Sequence, residues 1–356
     1  MENGADRMMS VVMPVRNALP YLDDSISSIL NQSHRDLELV IGDDGSTDGS
    51  AERLALWARR DSRIRLFTGA QAELGPAGSS NWVVRLARHP IVARMDADDV
   101  SRPRRIEAQL AALRDNPSAV LVGTLFDRID VRGRTICPRD RSPLAALSAS
   151  AVPFAHGSIM FRRDAFERAG GYRAACDFWE DQELYWRMAA AGRVLVLPEA
   201  HYAYRHNPGQ SRLKADLQRV ERALDLAFRC LAALERGEDY EPLIAAFEPG
   251  QGHKIRPEVF RAMGSIQLWS GRRPVILRRL VRNAELGFNK RSLLAFTWCL
   301  ACKIAPATLR LALKARAHAR ASFQGRAWPD GRTYEWQPHR DGGLAAERDL
   351  RPLRAA

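Results

Sequence analysis

The sequence lacks the two glycine-rich loops with which many nucleotide-binding proteins hold phosphate groups. Neither G-x-G-x-x-G nor G-x-x-x-x-G-K-[ST] occurs in its 356 residues. In both motifs, backbone N–H groups of a loop surround the phosphates where a helix begins. The usual dinucleotide and triphosphate sites therefore find no support, and a nucleotide would have to be held by other residues.

Cysteine is scarce. The five cysteines are odd in number and scattered along the chain: Cys137, Cys176, Cys230, Cys299 and Cys302. This distribution argues against a disulfide framework. The last two form a single C-x-x-C inside the apolar run "LLAFTWCLACKIA", but no second pair is present to complete a zinc site. We therefore expect buried thiols and not a metal or redox centre.

Long uninterrupted apolar runs are also missing. The N-terminal stretch "MENGADRMMSVVMPV" contains Glu2 and no apolar core, so it is not a secretory signal and we expect a cytoplasmic protein. The apolar segment 292–322 is broken by Lys303 and Pro306, too interrupted to predict a transmembrane helix. Two interpretations stay open: a peripheral helix on the anionic inner face of the plasma membrane, or a helix packed on the protein.

The excess of positive over negative charge is confined to the C-terminal end of the chain. Residues 254–356 contain 21 basic and 7 acidic side chains, whereas residues 1–253 contain 33 and 35. A basic segment suits an anionic membrane or nucleic acid. Basic residues interleaved with aromatic residues that stack on single strands would favour nucleic acid, whereas this segment is rich in alanine and leucine. We therefore expect a membrane surface as a partner, and no nucleic acid.

Strand and helix patterns alternate in the first half of the chain. The strand-like runs are "SVVMPV" (10–15), "LELVIG" (37–42), "RIRLFT" (63–68) and "PIVARMD" (90–96), with amphipathic helix patterns between them. This order predicts an α/β fold with a mostly parallel central sheet flanked by helices. The pattern is less regular from 119 to about 210, where we expect some antiparallel strands.

The same patterns suggest a division into parts. We predict a domain at 1–215, with a nucleotide-binding half at about 8–100 and an acceptor half at about 101–215. A basic helical extension at 216–324 and a loose tail at 325–356 would follow. The clearest helix of the extension is "DLQRVERALDLAFRCLAALERG".

Three polar clusters, "PVRN", "DDGS" and "DADD", each follow a predicted strand. In open α/β sheets, ligands bind beyond the carboxyl ends of the strands, so these clusters should converge on one face. Asp43 and Asp44 cannot cradle phosphate, but they can accept hydrogen bonds from a base or from ribose hydroxyls. Gly45 beside them permits close approach of a ligand.

The cluster "DADD" allows two interpretations. If strand alternation continues, Asp96 and Asp98 point the same way and Asp99 points away. Two such carboxylates suit Mg²⁺ or Mn²⁺, whose other ligands would be phosphate oxygens and water. Alternatively, the acids cap the helix whose start "DVSRPRRI" indicates, and Asp99 could serve as a cap even beside a metal site.

Four segments together resemble glycosyltransferase family 2, nucleotide-sugar-dependent enzymes with the single-domain GT-A fold. They are "SVVMPVRNALPYLDDSISSILNQSHRDLELVIGDDGSTDGS", "GPAGSSNWVVRLARHPIVARMDADD", "HGSIMFRRDAFERAGGY" and "DFWEDQELYWRM". The resemblance covers roughly residues 8–210, in the family's order and spacing. One departure is "AELGPAGSSN", where the family usually has Asn-x-Gly before Gly75.

The resemblance implies roles for individual residues of these segments. Pro14 and Arg16 would line the nucleobase pocket, and Asp44 would bond the base, which is uracil in the well-understood members. The other donor contacts would come from Asp43, Asn81 and Asp96. Asp98 would bind Mn²⁺ or Mg²⁺, with His206 as a weaker candidate beside the diphosphate. His156, which begins "HGSIMFRR", is a further candidate, and either histidine could instead be structural.

Asp181 in "WEDQELYWR" would be the catalytic base that deprotonates the attacking acceptor hydroxyl. Glu180 is its rival, and both could instead be first-turn acids favoured by the helix dipole. Trp179 and Trp186 could stack on sugar rings or pack in the core.

These residues predict an inverting glycosyltransferase of the hexosyl or N-acetylhexosaminyl class. The donor would be a nucleotide diphosphate sugar, with UDP-sugar expected. The acceptor would be a saccharide or lipid-linked saccharide in bacterial surface polysaccharide or glycolipid synthesis. The alternatives are a sugar nucleotidyltransferase of similar fold, or a non-catalytic membrane- or nucleic-acid-binding protein on a retired glycosyltransferase scaffold.

Overall fold

The computed structural model describes residues 8–69, 74–140, 152–207, 217–247, 333–336 and 351–352. Their strands are β1 (Met9–Val15), β2 (Leu37–Asp43), β3 (Ile64–Thr68), β4 (Ile91–Arg94), β5 (Val100–Ser101), β6 (Ala119–Ile129), β7 (Thr135–Asp140), β8 (Met160–Arg162), β9 (Arg193–Arg205), β10 (Tyr334–Trp336) and β11 (Arg351–Pro352). The helices are α1 (Leu22–Leu30), α2 (Ser50–Arg60), α3 (Gly75–Leu86), α4 (Arg105–Asp115), α5 (Arg163–Arg168), α6 (Glu180–Ala191), α7 (Leu217–Glu235) and α8 (Glu241–Ala245).

These strands form one mixed sheet. Along its main path the order is β11-β10-β9-β6-β8-β4-β1-β2-β3, with β5 paired to β9 and β7 paired to β6. β1 lies parallel to both β2 and β4, and β2 is parallel to β3. The chain order therefore reverses at β1, and the crevice at the carboxyl ends of β1 and β4 is where such sheets bind ligands.

The second half of the sheet contains the antiparallel pairing that the irregular pattern predicts. β8 lies antiparallel to both β4 and β6, and so joins the two halves. β6 and β9 pair in parallel along most of their length, which carries the end of β9 toward the end of β4. The predicted α/β fold is confirmed as a mixed sheet, with parallel strands β1 to β4 in the first half and antiparallel strands in the second.

α1 shows how the sequence pattern produces the packing. Leu22, Ile26 and Ile29 recur at helical spacing and are fully buried against strands of the sheet. Burying each of these side chains contributes about 1.5–3 kcal/mol relative to exposure. This packing places the first turn of α1 directly beyond the end of β1, next to the crevice.

α6 is buried along most of its length, and its tryptophans belong to the core. Trp179 and Trp186 lie with ring centroids 5.7 Å apart, and Trp186 also packs against Tyr240 of the segment before α8. Of the two interpretations of these aromatic residues, packing in the core is therefore confirmed.

The packed core continues past residue 215. α7, the helix predicted there, buries a face that includes Val220, Leu224, Ala227 and Leu231 in the same core as α6. In the part of the chain that the structure describes, no helix combines the length and apolarity needed to cross a membrane. The apolar segment 292–322, with the C-x-x-C, lies outside the described residues.

A short part of the predicted loose tail is a strand. Residues Tyr334–Trp336 pair antiparallel with β9, and Arg193 Nε donates to Glu335 Oε2 at 3.0 Å. The physical reason is that the edge of β9 offers unpaired N–H and C=O groups, which an extended segment with aromatic residues can satisfy.

Candidate functional site

The loops after β1 and β2 are joined to each other by hydrogen bonds. The N–H of Asp44 donates to Val15 O at 2.9 Å, and the N–H of Asn17 donates to Ser46 Oγ at 2.9 Å. Asn17 Oδ1 in turn accepts from the N–H of Thr47 at 2.8 Å. Asn17 has a φ of 53°, a left-handed conformation that Asn tolerates better than most residues. The clusters "PVRN" and "DDGS" thus form one wall.

The acids of this wall are buried, while its arginine faces solvent. Asp43 and Asp44 are each 4% exposed. Asp43 Oδ1 accepts from the N–H and Oγ of Ser46 at 3.2 and 2.5 Å. Arg16 Nη1 donates to Asp44 O at 3.4 Å and lies 4.0 Å from Asp44 Oδ2. Pro14, near the end of β1, is partly buried beside them.

The "DADD" segment leaves the strand earlier than its pattern predicts. β4 ends at Arg94, and the N–H of Asp99 bonds back to Asp96 O at 3.3 Å, so the acids lie on a turn. Asp96 Oδ1 accepts from the buried Arg94 guanidinium. The N–H of Asp96 donates to Tyr202 Oη at 3.3 Å. The side-chain alternation assumed for these acids therefore does not apply.

Gly157 makes room for this turn. A Cβ added there would lie 1.9 Å from Tyr202 Oη and 2.7 Å from Asp96 Oδ2. No real side chain tolerates such contacts, so the short 3₁₀ helix His156–Ser158 can approach Asp96 only because residue 157 is glycine.

Asp98 is held from the end of β9. Asn207 Nδ2 donates to Asp98 Oδ2 at 2.6 Å, and Arg205 Nε donates to Asp98 O at 2.7 Å. Burial, and then the charge of Asp96, raise the pKa of Asp98 to about 6. Burial, with Asp98 and Asp96, also raises the pKa of Asp99 well above its usual range.

A divalent cation that binds together with substrate phosphates fits these residues. The charge of Asp96 raises the pKa of Asp98, and both charges raise the pKa of Asp99, so a cation beside these carboxylates would relieve the repulsion. Among the described residues, no three His, Cys, Asp or Glu side chains converge as a complete metal cage. Mg²⁺ and comparable ions bind in this way, through one or two carboxylates plus substrate phosphates and water.

The predicted cap role of Asp99 is wrong. The next helix, α4, begins only at Arg105, and Val100–Ser101 pairs with β9 instead. Asp99 is buried, and its Oδ1 accepts from the N–H of Arg205 at 2.6 Å. Pairing with β9 brings this N–H to Asp99, whereas the N–H groups of α4 begin several residues further on.

His206 and Asn81 make backbone-directed contacts. The N–H of His206 donates to Ile129 O at 2.9 Å. The next residue, Asn207, donates to Asp98 through its side-chain amide. Asn81 Nδ2 donates to Tyr172 O at 2.8 Å, while its Oδ1 accepts from the N–H of Tyr172 at 2.9 Å. Asn81 therefore ties α3 to the segment that precedes α6.

The first turn of α6 brings two buried acids toward the crevice. Glu180 and Asp181 are 5% and 8% exposed, and Asp181 Oδ1 accepts from the N–H of Gln182 at 2.9 Å. His156 Nδ1 lies 3.8 Å from Glu180 Oε1, and its Nε2 lies 2.8 Å from Tyr172 Oη. His156 therefore links Glu180 to Tyr172.

Tyr172 lies close to charged groups from both the "DADD" turn and the start of α6. Burial raises the pKa of its hydroxyl, the charge of Arg94 lowers it, and Glu180, Asp181 and Asp96 raise it further. Groups from the "DADD" turn and from the start of α6 thus act on one buried hydroxyl. These predicted site residues, which are 85 positions apart in the chain, lie around a common centre.

Sequence reasoning missed several residues of this centre: Arg94, Tyr172, Tyr202, Arg205 and Asn207. Only Asn207 had a local signal, because "RHNPG" places two polar side chains directly after the long strand β9. Buried arginines and tyrosines have no such signal, since their roles depend on partners far away in the chain.

Comparison with known proteins identifies the family. Residues 10–170 match the sequence profile of glycosyl transferase family 2. The chain is 34% identical over 252 residues to the putative glycosyltransferase EpsE of Bacillus subtilis (strain 168). The match covers 68% of this chain and 90% of EpsE. It is 32% identical over 186 residues to the O-antigen biosynthesis glycosyltransferase WbnJ of Escherichia coli, covering 51% of this chain and 71% of WbnJ.

A solved structure shares the fold. The mannosyltransferase PcManGT from Pyrobaculum calidifontis, in complex with GDP-Man and Mn²⁺, superposes with a TM-score of 0.51 at 20% identity. The superposition covers 89% of this chain and 86% of that one. The chain therefore belongs to glycosyl transferase family 2 and has the GT-A fold that its sequence motifs predict.

Proposed function

We propose that this glycosyltransferase moves a hexosyl or N-acetylhexosaminyl group from a UDP-sugar to a hydroxyl of a saccharide or lipid-linked saccharide, with inversion. The observation that carries the proposal is the convergence of the "DADD" turn and the first turn of α6 on the 3₁₀ helix His156–Ser158. Gly157 lies against Asp96, and His156 lies 3.8 Å from Glu180 and 2.8 Å from Tyr172. One acidic group then lies where the donor diphosphate would bind, and another where an acceptor hydroxyl would attack.

In this proposal the wall formed by the loops after β1 and β2 binds the nucleoside. Pro14 and Arg16 would flank the base, and the carboxylate of Asp44 would accept the N–H of uracil. Asp43, which is fixed by Ser46, would support that loop. Asp96, which is anchored by Arg94, would accept a hydrogen bond from a ribose hydroxyl.

Asp98 would be the protein's ligand to Mn²⁺ or Mg²⁺, oriented by Asn207, with His206 close to the diphosphate. When bound, the metal supplies positive charge that stabilises the departing nucleoside diphosphate. Supporting side chains of this kind orient metal ligands and tune their affinity. The short, partly buried bond between Asn207 and Asp98 is the feature that supports this assignment.

Asp181 would act as the general base. It would take the proton of the acceptor hydroxyl as the oxygen attacks the anomeric carbon, while the bond to the diphosphate oxygen breaks. A single displacement of this kind inverts the configuration at that carbon. Glu180 lies beside His156 and would position the first turn of α6, which makes Asp181 the better candidate for the base.

The relatives support a role in surface polysaccharide synthesis. WbnJ is named for O-antigen biosynthesis, and a chondroitin synthase of Escherichia coli is 27% identical over 214 residues. PcManGT was solved with a nucleotide sugar and Mn²⁺. If the acceptor is lipid-linked, the basic extension predicted at 216–324 would contact the anionic inner face of the plasma membrane. Binding of the protein to phosphatidylglycerol vesicles would test this contact.

Calorimetry with UDP-, GDP- and dTDP-sugars, with and without Mn²⁺, tests the donor proposal on wild type and Asp98→Ala. We expect binding of the UDP-sugar that depends on Mn²⁺ and is lost in Asp98→Ala. Metal-dependent binding of another nucleotide class would correct the base but keep the mechanism. Binding to no donor, with vesicles still bound, would favour a non-catalytic protein on a retired scaffold.

A further inference from the structure

A buried arginine at the end of β9 joins the "DADD" turn to α1. The Arg205 side chain is 1% exposed. Its Nε donates to Asp98 O at 2.7 Å, and its Nη2 donates to Asp24 Oδ2 in the first turn of α1 at 2.9 Å. The backbone N–H of Arg205 also donates to Asp99 Oδ1 at 2.6 Å. One residue thus holds two neighbouring acids of the turn.

The same guanidinium reaches a third segment. Its Nη1 lies 3.4 Å from Asp130 O and 3.2 Å from Val131 O, in the turn between β6 and β7. The guanidinium carbon lies 4.8 Å from the ring centroid of Tyr21, immediately before α1. Arg205 therefore bonds or stacks on α1, the "DADD" turn and the β6–β7 turn at once.

These contacts require the shape of arginine. The planar guanidinium presents five N–H donors in fixed directions, and it stacks on aromatic faces. A lysine ammonium is a compact point charge with three donors, and it cannot reach the separate acceptors that lie around the edge of the guanidinium plane. Burying the charge is costly unless its hydrogen bonds are made, and here three segments supply acceptors.

We propose that Arg205 is a positioning residue for the metal site, and that Asp24 is its anchor on α1. This inference rests on the proposed function, in which Asp98 binds the metal. Asp98 lies on a turn outside the strands, so its position depends on what holds that turn. Arg205 fixes its backbone and Asn207 fixes its carboxylate, and both bonds come from the end of β9.

α1 supplies a matched control at the adjacent position. Asp23 and Asp24 are consecutive acids in its first turn, with side chains 47% and 62% exposed. Asp23 pairs with Arg53 of α2 and accepts from Trp57 Nε1 at 2.7 Å, whereas Asp24 pairs with Arg205. Asp23→Asn and Asp24→Asn each weaken one ion pair of the same helix, but only the second touches the proposed support of Asp98.

The test is Mn²⁺ binding, measured by electron paramagnetic resonance in the presence of UDP, together with the Tm of each variant. We expect Arg205→Lys to weaken Mn²⁺ binding by about tenfold or more, as for other residues that support metal ligands. Asp24→Asn should weaken it by about threefold, because an ion pair with one exposed partner contributes modestly. Asp23→Asn should bind Mn²⁺ within about twofold of wild type, with a Tm lowered at least as much as that of Asp24→Asn.

The possible results distinguish a failure of the positioning role of Arg205 from a failure of the proposed metal site. If wild type binds Mn²⁺ and both Arg205→Lys and Asp24→Asn bind it equally well, the positioning role is wrong while the metal site stands. The role is also wrong if Asp23→Asn and Asp24→Asn weaken binding alike, because the effect then reflects general loosening of α1. If wild type itself binds no Mn²⁺ with UDP, the proposed metal site fails. Should Arg205→Lys not fold, the comparison of the two surface variants still decides.

Discussion

The amide of Asn207 donates to the carboxylate of Asp98 across 2.6 Å, joining residues 109 positions apart in the chain. Asn207 is 3% exposed, whereas Asp98 is partly buried, so the bond is shielded from water on the side of Asn207. It connects the end of β9 with the turn after β4, two places that the sheet order separates by two strands.

Replacing Asn207 by alanine should lower the affinity for Mn²⁺ about tenfold, because Asp98 loses the bond that orients its carboxylate. Calorimetric titration of Mn²⁺ in the presence of UDP measures this affinity. Asn116→Ala is the matched control, since the side-chain amide of Asn116 donates to Ala112 O in the last turn of α4. Equal Mn²⁺ affinity in wild type and Asn207→Ala would contradict the assignment.

Replacing Asp181 by asparagine should reduce kcat by about 10²- to 10⁴-fold, the usual contribution of a general base. The Kd for the donor should stay unchanged, because the donor is held by other residues. Glu180→Gln is the companion variant, and its expected loss of kcat is below about tenfold. Single-turnover sugar transfer measures both. A larger loss in Glu180→Gln than in Asp181→Asn would transfer the role of the base to Glu180.

Replacing Gly157 by alanine should destabilise the protein by about 1–3 kcal/mol, the cost of forcing an extra methyl group into a packed site. The new Cβ would overlap Tyr202 Oη and press on Asp96 Oδ2, so donor binding should weaken as well. Urea unfolding and donor titration measure the two effects. Adding Tyr202→Phe removes the closest atom and should restore part of the stability. A fully stable Gly157→Ala would show that the turn can shift freely.

Glu38 should make stability depend on acid pH. Burial is the largest influence and raises the pKa of this carboxyl, but bonds from Ser10 Oγ, the N–H of Arg88 and Arg65 together lower it below its ordinary value of 4.5. Because the folded pKa is the lower one, the stabilisation is fully present well above pH 4.5. It is lost as the pH falls through the folded value.

Glu38→Gln should therefore cost about 1–3 kcal/mol at pH 7, the range for hydrogen bonds to a charged group. The difference from wild type should shrink between pH 5 and the acid limit at which wild type remains folded. Urea unfolding at several pH values measures it. Glu52→Gln, at an exposed position of α2, is the control and should run parallel to wild type. A difference that stays constant with pH would contradict the role of the charge.

Local pattern was sufficient for much of the fold. α1 was predictable because Leu22, Ile26 and Ile29 repeat at the helical period, and β1 and β2 because apolar runs end in turn residues. α7 was predictable for the same reason, but its place in the core of the catalytic domain was not. Periodicity shows that a helix has an apolar face and does not show which surface covers it.

The sequence by itself determined where the acidic clusters fall, because each follows a strand and parallel strands end at one edge. Only the tertiary structure decided what each acid touches. Asp99 accepts from the backbone of Arg205, 106 positions away, and Asn81 bonds to Tyr172, 91 positions away. Asn207, which directly follows the predicted candidate His206, donates to Asp98. Such contacts depend on how β9 and β4 are brought together through β6 and β8, and no local pattern contains that information.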